Sequence, residues 1–443
     1  MSEKTAAGKR IAFYTLGCKV NQNETEALSA LFRERGYEVV DFADQADYYV
    51  INSCTVTHLA DRKSRQMIRR AVKTNPRAKV VVTGCYAQTD ADAIQKIPGV
   101  SLVVGTNEKS RLVDLLEELS DEPRVVVRKY ADLKDFEEIT AEKDVQRARA
   151  YLKVQEGCNQ FCSYCIIPYA RGPVRSRPVE SALQEAEKLI RQGFKEIVLT
   201  GIHLGAYGQD LGKKYNLEKL VLDLLRLDFN VRWRLSSLEP TEVTPGIIRM
   251  LKEYRNFCPH LHLPLQSGHD VILRAMNRPY TTAQYLEIVT EIKKAVPDIA
   301  ISTDVMVGFP GEKEEYFQEY WRFVEKVGFS RLHVFKYSPR QGTPAADFPD
   351  QIPAPVKEAR SRRMLRLGEK LEERYAEKFL LRVVDVLVEE QSDATLWEGS
   401  SANYLKVRFT APSSPELLRG KIVPVFLREF AGGYCIGELF QIQ

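Results

Sequence analysis

The residues of this 443-residue sequence that most directly indicate chemistry are three closely spaced cysteines, Cys158, Cys162 and Cys165. Their spacing is C-x₃-C-x₂-C, and no fourth cysteine lies nearby. Four thiolates fill the ligand positions of a [4Fe–4S] cluster, so three leave one iron open to a substrate or cofactor. A reactive cluster needs such an open iron, whereas a purely structural metal does not. The spacing therefore predicts a cluster that takes part in a reaction.

A zinc site and a disulfide are the alternatives for these three cysteines. Zinc ligands usually come as two pairs of C-x₂₋₄-C type, about a dozen or more residues apart. The downstream residues that might complete such a site, Cys258, His260 and His262, lie far away in the sequence. A disulfide is disfavoured because nothing else indicates an oxidising compartment. Cys258, like Cys435, lies in an apolar context and is expected to be structural.

Three further cysteines, Cys18, Cys54 and Cys85, each follow a predicted strand in the N-terminal part of the chain. Apolar, β-rich runs predict these strands at residues 11–15, 48–52 and 79–83. Helical patterns between the runs indicate a parallel sheet. The carboxyl ends of parallel strands share one edge, where ligands bind. The three thiols are therefore expected to converge on a second three-thiolate cluster; three unrelated buried cysteines are the alternative.

The sequence pattern predicts an α/β protein with three domains. Residues 1–145 alternate strands and helices, as in a parallel α/β domain, and end in a polar linker over 123–150. Residues 146–376 repeat strand and helix six times, which indicates a partial βα barrel with its cysteine loop on the active face. Residues 377–443 change to short β-rich runs, typical of a small antiparallel β-barrel. Barrels of this size often bind oligonucleotides.

Composition and charge favour a cytoplasmic protein that contacts RNA. The sequence has no run of about 18 apolar residues and no apolar stretch of signal-peptide length, so we expect no membrane association. The net charge of +4 is small, but residues 62–79 hold eight Lys or Arg and no acid. Such a run predicts phosphate contacts; a solvated helix face is the alternative. A second basic cluster contains Lys357, Arg360, Arg362, Arg363 and Arg366.

Several motifs of the chain resemble those of one enzyme family. The run C-x₃-C-x-aromatic-C, with Tyr164 as the aromatic, is similar to the signature of radical S-adenosylmethionine enzymes. The segments TLGCKVNQNETEAL, NSCTVT, TGCYAQ, CIIPYARGPVRSR and HLPLQSGHDVILRAMNRPYT resemble those of the radical S-adenosylmethionine methylthiotransferases. In that family the C-terminal barrel is the RNA-binding TRAM domain. The resemblance covers essentially the whole chain and implies a radical-SAM barrel at its centre.

The family has three branches, and the substrate expectation depends on few residues. The motif GCKVN and the run from Tyr169 to Arg175 resemble the branch that modifies N6-threonylcarbamoyladenosine next to the tRNA anticodon. The isopentenyl-adenosine branch more often reads GCQMN, with a charged residue after Arg-Gly. That branch is the alternative, and the branch that modifies an aspartate of a ribosomal protein is less favoured.

The resemblance also implies the cofactors and the roles of the six cysteines. Cys158, Cys162 and Cys165 would hold the [4Fe–4S] cluster that cleaves S-adenosyl-L-methionine to a 5′-deoxyadenosyl radical. Cys18, Cys54 and Cys85 would hold an auxiliary [4Fe–4S] cluster that carries the added sulfur. The chemistry would occur at the clusters, with no side chain acting as a catalytic acid or base. A tRNA anticodon stem-loop and a reducing electron donor, such as flavodoxin or ferredoxin, are the implied partners.

The expected cofactor contacts lie at the ends of later strands. The resemblance places Thr200 and Gly201 near the amino group of the methionine part of S-adenosylmethionine. A second set could reach the ribose: Ser236, Ser237 and Glu239. The turn from Gly308 to Glu312 could approach the adenine by its backbone, since glycine permits close approach. An ordinary Gly/Pro turn between a strand and a helix explains that sequence equally well.

Two other classes of function remain open from the sequence. A non-catalytic RNA-binding scaffold would use its clusters structurally, which leaves the open coordination positions unexplained. A simple radical methylase would not account for Cys18, Cys54 and Cys85. In the small barrel, Tyr404 and Phe409 could stack on exposed bases, although core packing is the favoured explanation.

Overall fold

A computed structural model describes residues 8–139, 147–212, 215–393, 395–411 and 418–440. These residues form two compact units. The first unit comprises the described part of Met1–Asp144 together with Lys153–Arg177 and Ser338–Ala346. The second comprises the rest of the described chain. Both cysteine groups thus belong to the first unit, although the sequence pattern assigns them to different domains.

The first unit is built on a parallel six-stranded sheet with strand order β2-β1-β3-β4-β5-β6. Its strands are β1 (Arg10–Thr15), β2 (Glu38–Val40), β3 (Tyr48–Ser53), β4 (Lys79–Gly84), β5 (Val100–Val104) and β6 (Arg124–Val126). Its helices are α1 (Lys19–Glu34), α2 (His58–Thr74), α3 (Cys85–Thr89), α4 (Ala91–Gln95) and α5 (Leu112–Glu117), with 3₁₀ turns at Lys109–Arg111 and Tyr130–Asp132. Apolar clusters cover both faces of the sheet.

The alternation of strand and helix predicted for this region is confirmed, and the short edge strands β2 and β6 are additions. Residues 123–150 were expected to form a linker because they are polar and charged, yet Arg124–Val126 pairs with β5 as an edge strand. A three-residue strand on an edge needs little apolar surface, so the sequence signal is weak. The part of the predicted linker at residues 140–146 lies outside the described residues.

The chain then enters the cysteine-rich segment. β7 (Ala150–Lys153) leads to β8 (Gln155–Glu156), which pairs antiparallel with β9 (Arg175–Ser176). Between them lie the three closely spaced cysteines and α6 (Ile167–Arg171). The short β8–β9 pair closes the ends of this segment, so that it forms a loop with a fixed base.

The second unit contains a partial βα barrel whose strands form two three-stranded parallel groups, β11-β10-β7 and β12-β13-β14. The further strands are β10 (Glu196–Thr200), β11 (Arg232–Leu235), β12 (His260–His262), β13 (Ala300–Val307) and β14 (Arg331–Lys336). The helices are α7 (Val179–Arg191), α8 (Leu217–Leu225), α9 (Pro245–Glu253), α10 (Asp270–Ala275), α11 (Thr282–Ala295), α12 (Glu314–Val327) and α13 (Ala354–Glu377). Single parallel bridges, such as Ser237 to His262, connect the two groups.

Helix starts in this unit follow capping rules that can be read from the sequence. The Asn216 and Thr244 side chains accept hydrogen bonds from the backbone N–H groups at the starts of α8 and α9. Thr281 and Gln284 form a reciprocal capping box at the start of α11. At the other end of α12, Gly328 adopts a left-handed conformation that stops the helix.

The C-terminal residues form a closed five-stranded barrel, as the sequence predicts. Its strands are β15 (Val383–Asp393), β16 (Leu396–Ser401), β17 (Lys406–Thr410), β18 (Ile422–Ala431) and β19 (Tyr434–Leu439). Four of the pairings are antiparallel, whereas β17 and β19 pair in parallel. No helix in the described parts of the chain has both the length and the apolar character that crossing a bilayer requires.

Candidate functional site

Cys18, Cys54 and Cys85 lie at the same edge of the sheet in the first unit. Cys54 and Cys85 directly follow the adjacent strands β3 and β4, and Cys18 directly precedes α1, just past β1. Burial, together with the neighbouring thiols of Cys85 and Cys18, raises the pKa of Cys54 to about 12. Burial likewise raises the pKa of Cys85. A bound metal cation would compensate the charge of these two thiolates, which burial disfavours at this edge.

A buried hydrogen-bond network ties the three cysteine-bearing loops together. The amide of Asn21 donates to the carbonyl oxygens of Leu16 (2.7 Å) and Ser53 (3.1 Å). The Ser53 hydroxyl donates to the carbonyl of Thr83 over 2.5 Å, and the Asn52 amide donates to the Asn21 carbonyl over 2.9 Å. These bonds join the loops after β1, β3 and β4. They fix the positions from which the three thiols project.

Glycines directly precede Cys18, Cys85 and Cys158, and before the last two the backbone leaves no room for a side chain. Gly84, before Cys85, has φ +94°, and a Cβ would lie 2.4 Å from the Ser53 carbonyl oxygen. Gly157, before Cys158, has φ +74°, and a Cβ would lie 1.8 Å from the Pro173 oxygen. Only glycine tolerates both the conformation and the contact. Each Gly-Cys pair thus positions its thiol through backbone geometry.

Arg171 connects the α6 end of the cysteine loop to the edge of the sheet. Its Nε–H donates to the Sγ of Cys85 over 3.1 Å, and its Nη2 donates to the Oδ1 of Asn21 over 2.5 Å. Its Nη1 donates to Glu24 over 2.7 Å and to Glu156 over 3.2 Å. The guanidinium is fully buried. It therefore joins the two cysteine-bearing segments within the first unit.

The network around Arg171 carries more positive than negative charge. Glu24 and Glu156 face Arg171, Lys109 and Lys153, and all five side chains are buried. Burial opposes ionisation of Glu24, but the three cations hold its pKa well below its usual range. Among these five side chains, the cations therefore outnumber the carboxylates by one. A thiolate-ligated cluster is anionic, so this surplus fits its presence.

The second group of cysteines is held by the backbone of its loop. The N–H of Cys158 donates to the carbonyl of Gly172, and the N–H of Cys165 donates to that of Cys162, each over 3.0 Å. The N–H of Gln160 donates to the Sγ of Cys158 over 3.4 Å. Backbone N–H donors to sulfur are part of how proteins hold and tune iron–sulfur clusters. The donor set and its surroundings fit an iron–sulfur cluster in both groups.

The ligand role of the six cysteines remains a prediction. Within the described residues, no three His, Cys, Asp or Glu side chains already stand in an arrangement that could hold a metal ion. Cys162, Cys54 and Cys85 are buried, and the other three are at least partly accessible.

A cavity of about 850 Å³ opens beside both cysteine groups within the first unit. Tyr86, directly after Cys85, and Ile166, directly after Cys165, both line it. Its wall is otherwise rich in basic and aromatic side chains, among them Arg65 and Tyr169. The volume lies in the range of roughly 300–1,000 Å³ that is typical of pockets for small molecules. Its volume and its place beside both cysteine groups make the cavity a candidate substrate site.

The residues expected to contact S-adenosylmethionine lie in the second unit, at strand ends. Thr200 ends β10, and Gly201 follows it. Ser236 follows β11 and is buried, and its hydroxyl has no hydrogen-bond partner among the described residues. Ser237 is exposed on the same loop. These positions are compatible with the expected contacts, which remain predictions.

Glu239, Gly308 and Glu312 each have contacts within the second unit. Glu239 forms an ion pair with Arg278. One oxygen of Glu312 accepts from the N–H of Gly308 and from Arg360, each over 2.8 Å. Burial raises the pKa of Glu312 to about 7. A Cβ on Gly308 would lie 2.4 Å from the Lys357 side chain. Glu312 therefore also braces the turn, a role that the sequence does not reveal.

The two aromatic side chains of the small barrel are engaged in packing. Phe409 is fully buried in the barrel core. The Tyr404 ring lies 4.7 Å from the ring of His260 and 4.3 Å from the guanidinium of Arg234. These contacts confirm the packing that the sequence favoured over stacking on exposed bases.

The part of the basic run of residues 62–79 that lies on α2 forms an exposed stripe, whereas Lys79 begins β4 and pairs with Asp121. Arg62, Arg69, Arg70 and Lys73 are exposed at spacings that share one helix face. None of the four forms an ion pair with any described residue. An unpaired cationic stripe is suited to phosphate contacts.

The second basic cluster is different, because acids neutralise most of it. Arg360 pairs with Glu312 and Glu314, Arg363 pairs with Glu314, and Arg362 pairs with Glu358. α13 thus uses these cations mainly for contacts within its own unit.

Comparison with known proteins agrees with this arrangement. The uncharacterized protein family UPF0004 matches residues 10–105, and the radical SAM superfamily matches residues 152–324. The chain is 43% identical to the threonylcarbamoyladenosine tRNA methylthiotransferase of Bacillus subtilis, over 98% of this chain and 96% of that protein. It is 35% identical to the tRNA-2-methylthio-N(6)-dimethylallyladenosine synthase of Acetivibrio thermocellus, over 95% of this chain and 89% of that protein.

A solved structure with a similar fold is that of the radical S-adenosylmethionine methyltransferase TsrM from Kitasatospora setae. It covers 76% of this chain and 77% of its own, with a TM-score of 0.57 and 15% identity. At this identity the likeness shows the fold alone.

Proposed function

We propose that this chain, which belongs to the radical S-adenosylmethionine methylthiotransferase family, converts N6-threonylcarbamoyladenosine in tRNA to its 2-methylthio derivative. The observation that carries the proposal is the pairing of two three-cysteine groups in the first unit with a full-length relative of that activity at 43% identity. The relative named for the dimethylallyl substrate is less similar, at 35%. Dimethylallyladenosine, which is the same as isopentenyl-adenosine, is therefore the second candidate substrate.

In this proposal two [4Fe–4S] clusters and S-adenosyl-L-methionine are the cofactors. Cys158, Cys162 and Cys165 hold one cluster, and Cys18, Cys54 and Cys85 hold the other. When bound, these groups supply radical cleavage of S-adenosylmethionine and the transfer of sulfur and a methyl group, which ordinary side chains cannot perform. The thiol donor sets support both assignments, and the excess of cations around Arg171 supports that of Cys18, Cys54 and Cys85.

The protein's own residues then bind, position and shield. The hydrogen bonds of Asn21, Asn52 and Ser53 fix the auxiliary thiols relative to each other. The proposed contacts to S-adenosylmethionine are Thr200, Gly201, Ser236, Ser237, Glu239, Gly308 and Glu312. The cavity beside Tyr86 receives the adenine. Electrons come from a reducing donor such as flavodoxin or ferredoxin, and the protein works in the cytoplasm, where tRNA is found and thiols stay reduced.

The anticodon stem-loop is proposed to lie along the stripe on α2. The exposed, unpaired cations there would neutralise backbone phosphates. Reversing Arg69 and Arg70 to Glu should weaken tRNA binding and reduce its dependence on salt. The pair Arg249→Glu and Lys252→Glu, on the exposed face of α9, changes the net charge equally and serves as control. An unchanged salt slope in the α2 variant would remove this surface from the proposal.

Nucleoside analysis tests the activity itself. Mass spectrometry of tRNA nucleosides from cells that lack this protein should show loss of 2-methylthio-N6-threonylcarbamoyladenosine and accumulation of its precursor. The 2-methylthio isopentenyl nucleoside should remain. The opposite pattern would assign the protein to the second candidate substrate.

A further inference from the structure

The cavity in the first unit has one half-buried cation without an acidic partner. Four Arg or Lys side chains line it: Arg65, Arg128, Lys129 and Arg340. Asp61 neutralises Arg340 over 2.6 Å, and Glu108 pairs with Arg128. Lys129 is exposed to solvent, whereas Arg65 is half-buried. Among the described residues, neither Arg65 nor Lys129 has an ion-pair partner.

Arg65 is held in place by a neutral neighbour. Its Nη1 donates to the hydroxyl of Tyr86 over 2.9 Å, and its Cζ lies 5.8 Å from the centre of that ring. Tyr86 itself directly follows Cys85. A guanidinium has five N–H donors, and this is the single one with a partner among the described residues. Arg65 therefore has donors available for a ligand in the cavity.

The proposed substrate carries the group that such a donor set recognises. A threonylcarbamoyl chain on adenine ends in a carboxylate, whereas an isopentenyl chain is an uncharged hydrocarbon. Guanidinium and carboxylate form parallel, charge-assisted hydrogen bonds. An apolar chain in the same place would leave Arg65 partly desolvated and unpaired. Such a mismatch is an effective means of rejecting the wrong substrate.

We propose that Arg65 recognises the carboxylate of the threonylcarbamoyl chain and so selects this adenosine over its isopentenyl counterpart. The inference depends on the proposed function, since it places that substrate in the cavity beside Cys85. Tyr86 is the positioning residue that holds the guanidinium. The exposed cations on α2, Arg62, Arg69, Arg70 and Lys73, would bind backbone phosphates whichever base is modified.

Binding measurements with matched RNAs test this assignment. The anaerobically reconstituted full-length protein is titrated with synthetic anticodon stem-loops that carry threonylcarbamoyladenosine, its methyl ester or unmodified adenosine. The ester removes the charge and adds only a methyl group. We expect the wild type to bind the free acid about ten- to a hundredfold more tightly than the ester, as expected for a charged hydrogen-bonded pair. Equal affinities would overturn the proposal without any variant.

Variants locate the group responsible. Arg65→Gln should bind acid and ester alike, with an unchanged Kd for the ester, and should raise KM for the acid more than it lowers kcat. Arg65→Lys should keep part of the preference. Arg69→Gln, one turn along α2 on the exposed face, should weaken the binding of all three RNAs by the same factor. If Arg65→Gln retains the preference, or Lys129→Gln abolishes it instead, the assignment to Arg65 is wrong.

Failure of the inference is distinguishable from failure of the function. Methylthio product on the isopentenyl stem-loop but none on the threonylcarbamoyl one would refute the function. Product on the threonylcarbamoyl stem-loop with equal acid and ester affinities would refute the carboxylate recognition alone. Iron content and circular dichroism check that each variant is folded. If Arg65→Gln loses iron, the test of carboxylate recognition rests on the Arg65→Lys variant and on the ratio of the wild-type Kd values for acid and ester.

Discussion

The Nε–H of Arg171 donates a hydrogen bond to the Sγ of Cys85 over 3.1 Å. The same guanidinium binds Glu24 and Glu156, so one buried side chain connects the sheet edge to the cysteine loop. Burial alone would disfavour its charge, but Cys85 and the two carboxylates raise the pKa of Arg171 well above its ordinary value. Arg171 is therefore ionised and directly beside a proposed cluster ligand.

Removing Arg171 should change the potential of the auxiliary cluster as well as stability. In the wild type, the positive charge of Arg171 and its N–H donor to sulfur both stabilise the reduced, more negatively charged cluster. Arg171→Met removes both of these stabilising groups. We expect a more negative midpoint potential, measured by a redox titration followed by electron paramagnetic resonance. Loss of one partner from this buried network should also cost about 3–5 kcal/mol of unfolding free energy.

Arg171→Lys is the matched control, because it keeps the charge and loses the Nε–H. Its potential should fall between those of the wild type and Arg171→Met. A potential unchanged in both variants would show that Arg171 has only a structural role.

Cys54→Ala tests the auxiliary cluster. After anaerobic reconstitution, the wild type should hold about eight irons per chain and the variant about four. Cleavage of S-adenosylmethionine should persist, but formation of the methylthio nucleoside should stop. Cys435→Ala, in the buried barrel core, is the control and should keep the wild-type iron content. Undiminished product from Cys54→Ala would contradict the auxiliary role.

Gly84→Ala should disturb the same cluster through the backbone. The added Cβ would lie 2.4 Å from the Ser53 oxygen, at a φ of +94° that alanine rarely adopts. We expect a loss of more than about 2 kcal/mol in unfolding free energy and reduced retention of the auxiliary iron. Gly193→Ala is matched in φ, at +91°, but meets nothing within 4 Å. Similar losses in both variants would show that backbone strain, and not the contact with Ser53, sets the effect.

Glu312→Gln should alter how stability depends on pH. Burial raises the pKa of Glu312 to about 7 from an ordinary 4.5, against the opposing effects of Gly308 and Arg360. Between these values the folded state keeps a proton that the unfolded state has released. The free energy of unfolding therefore falls as the pH rises. The glutamine cannot ionise, yet it still accepts from the Gly308 N–H, so this decline should vanish.

Thermal unfolding of Glu312→Gln and wild type between about pH 5 and 8 measures this difference. Glu315→Gln, at an exposed carboxylate nearby on α12, is the control and should keep the wild-type profile. A decline that persists in Glu312→Gln would assign the pH dependence to another group. Equilibrium binding of S-adenosylmethionine to the same variant separates a bracing role from the proposed cofactor contact.

Much of the fold follows from local sequence pattern. The run YYVIN became β3 and KVVVT became β4, because continuous apolar β-rich runs must be buried on both faces of a sheet. β2, β6 and the short β8–β9 pair were not predicted, since strands of two or three residues carry too little periodicity. The parallel pairing of β17 with β19 also escaped prediction, because partner choice in a barrel depends on closure and not on either strand alone.

The functional residues that sequence reasoning missed are the buried polar ones. Asn21 and Glu24 lie three residues apart in the motif that contains Cys18, so they share one helix face. That spacing was available in the sequence. Their partners Lys109 and Arg171 come from distant parts of the chain, and nothing local indicates that their charges are buried together.

The sequence by itself determined which atoms can do chemistry: six thiols at spacings that leave coordination positions open, each placed after a strand or in a glycine-bounded loop. Tertiary structure decided what surrounds them. It buried Arg171 against Cys85 and left Arg65 without an ion-pair partner among the described residues. It also paired Arg360, Arg362 and Arg363 of α13 with acids. The physical reason is that ligand type and spacing are local properties of the chain, whereas burial and charge compensation depend on residues that only folding brings together.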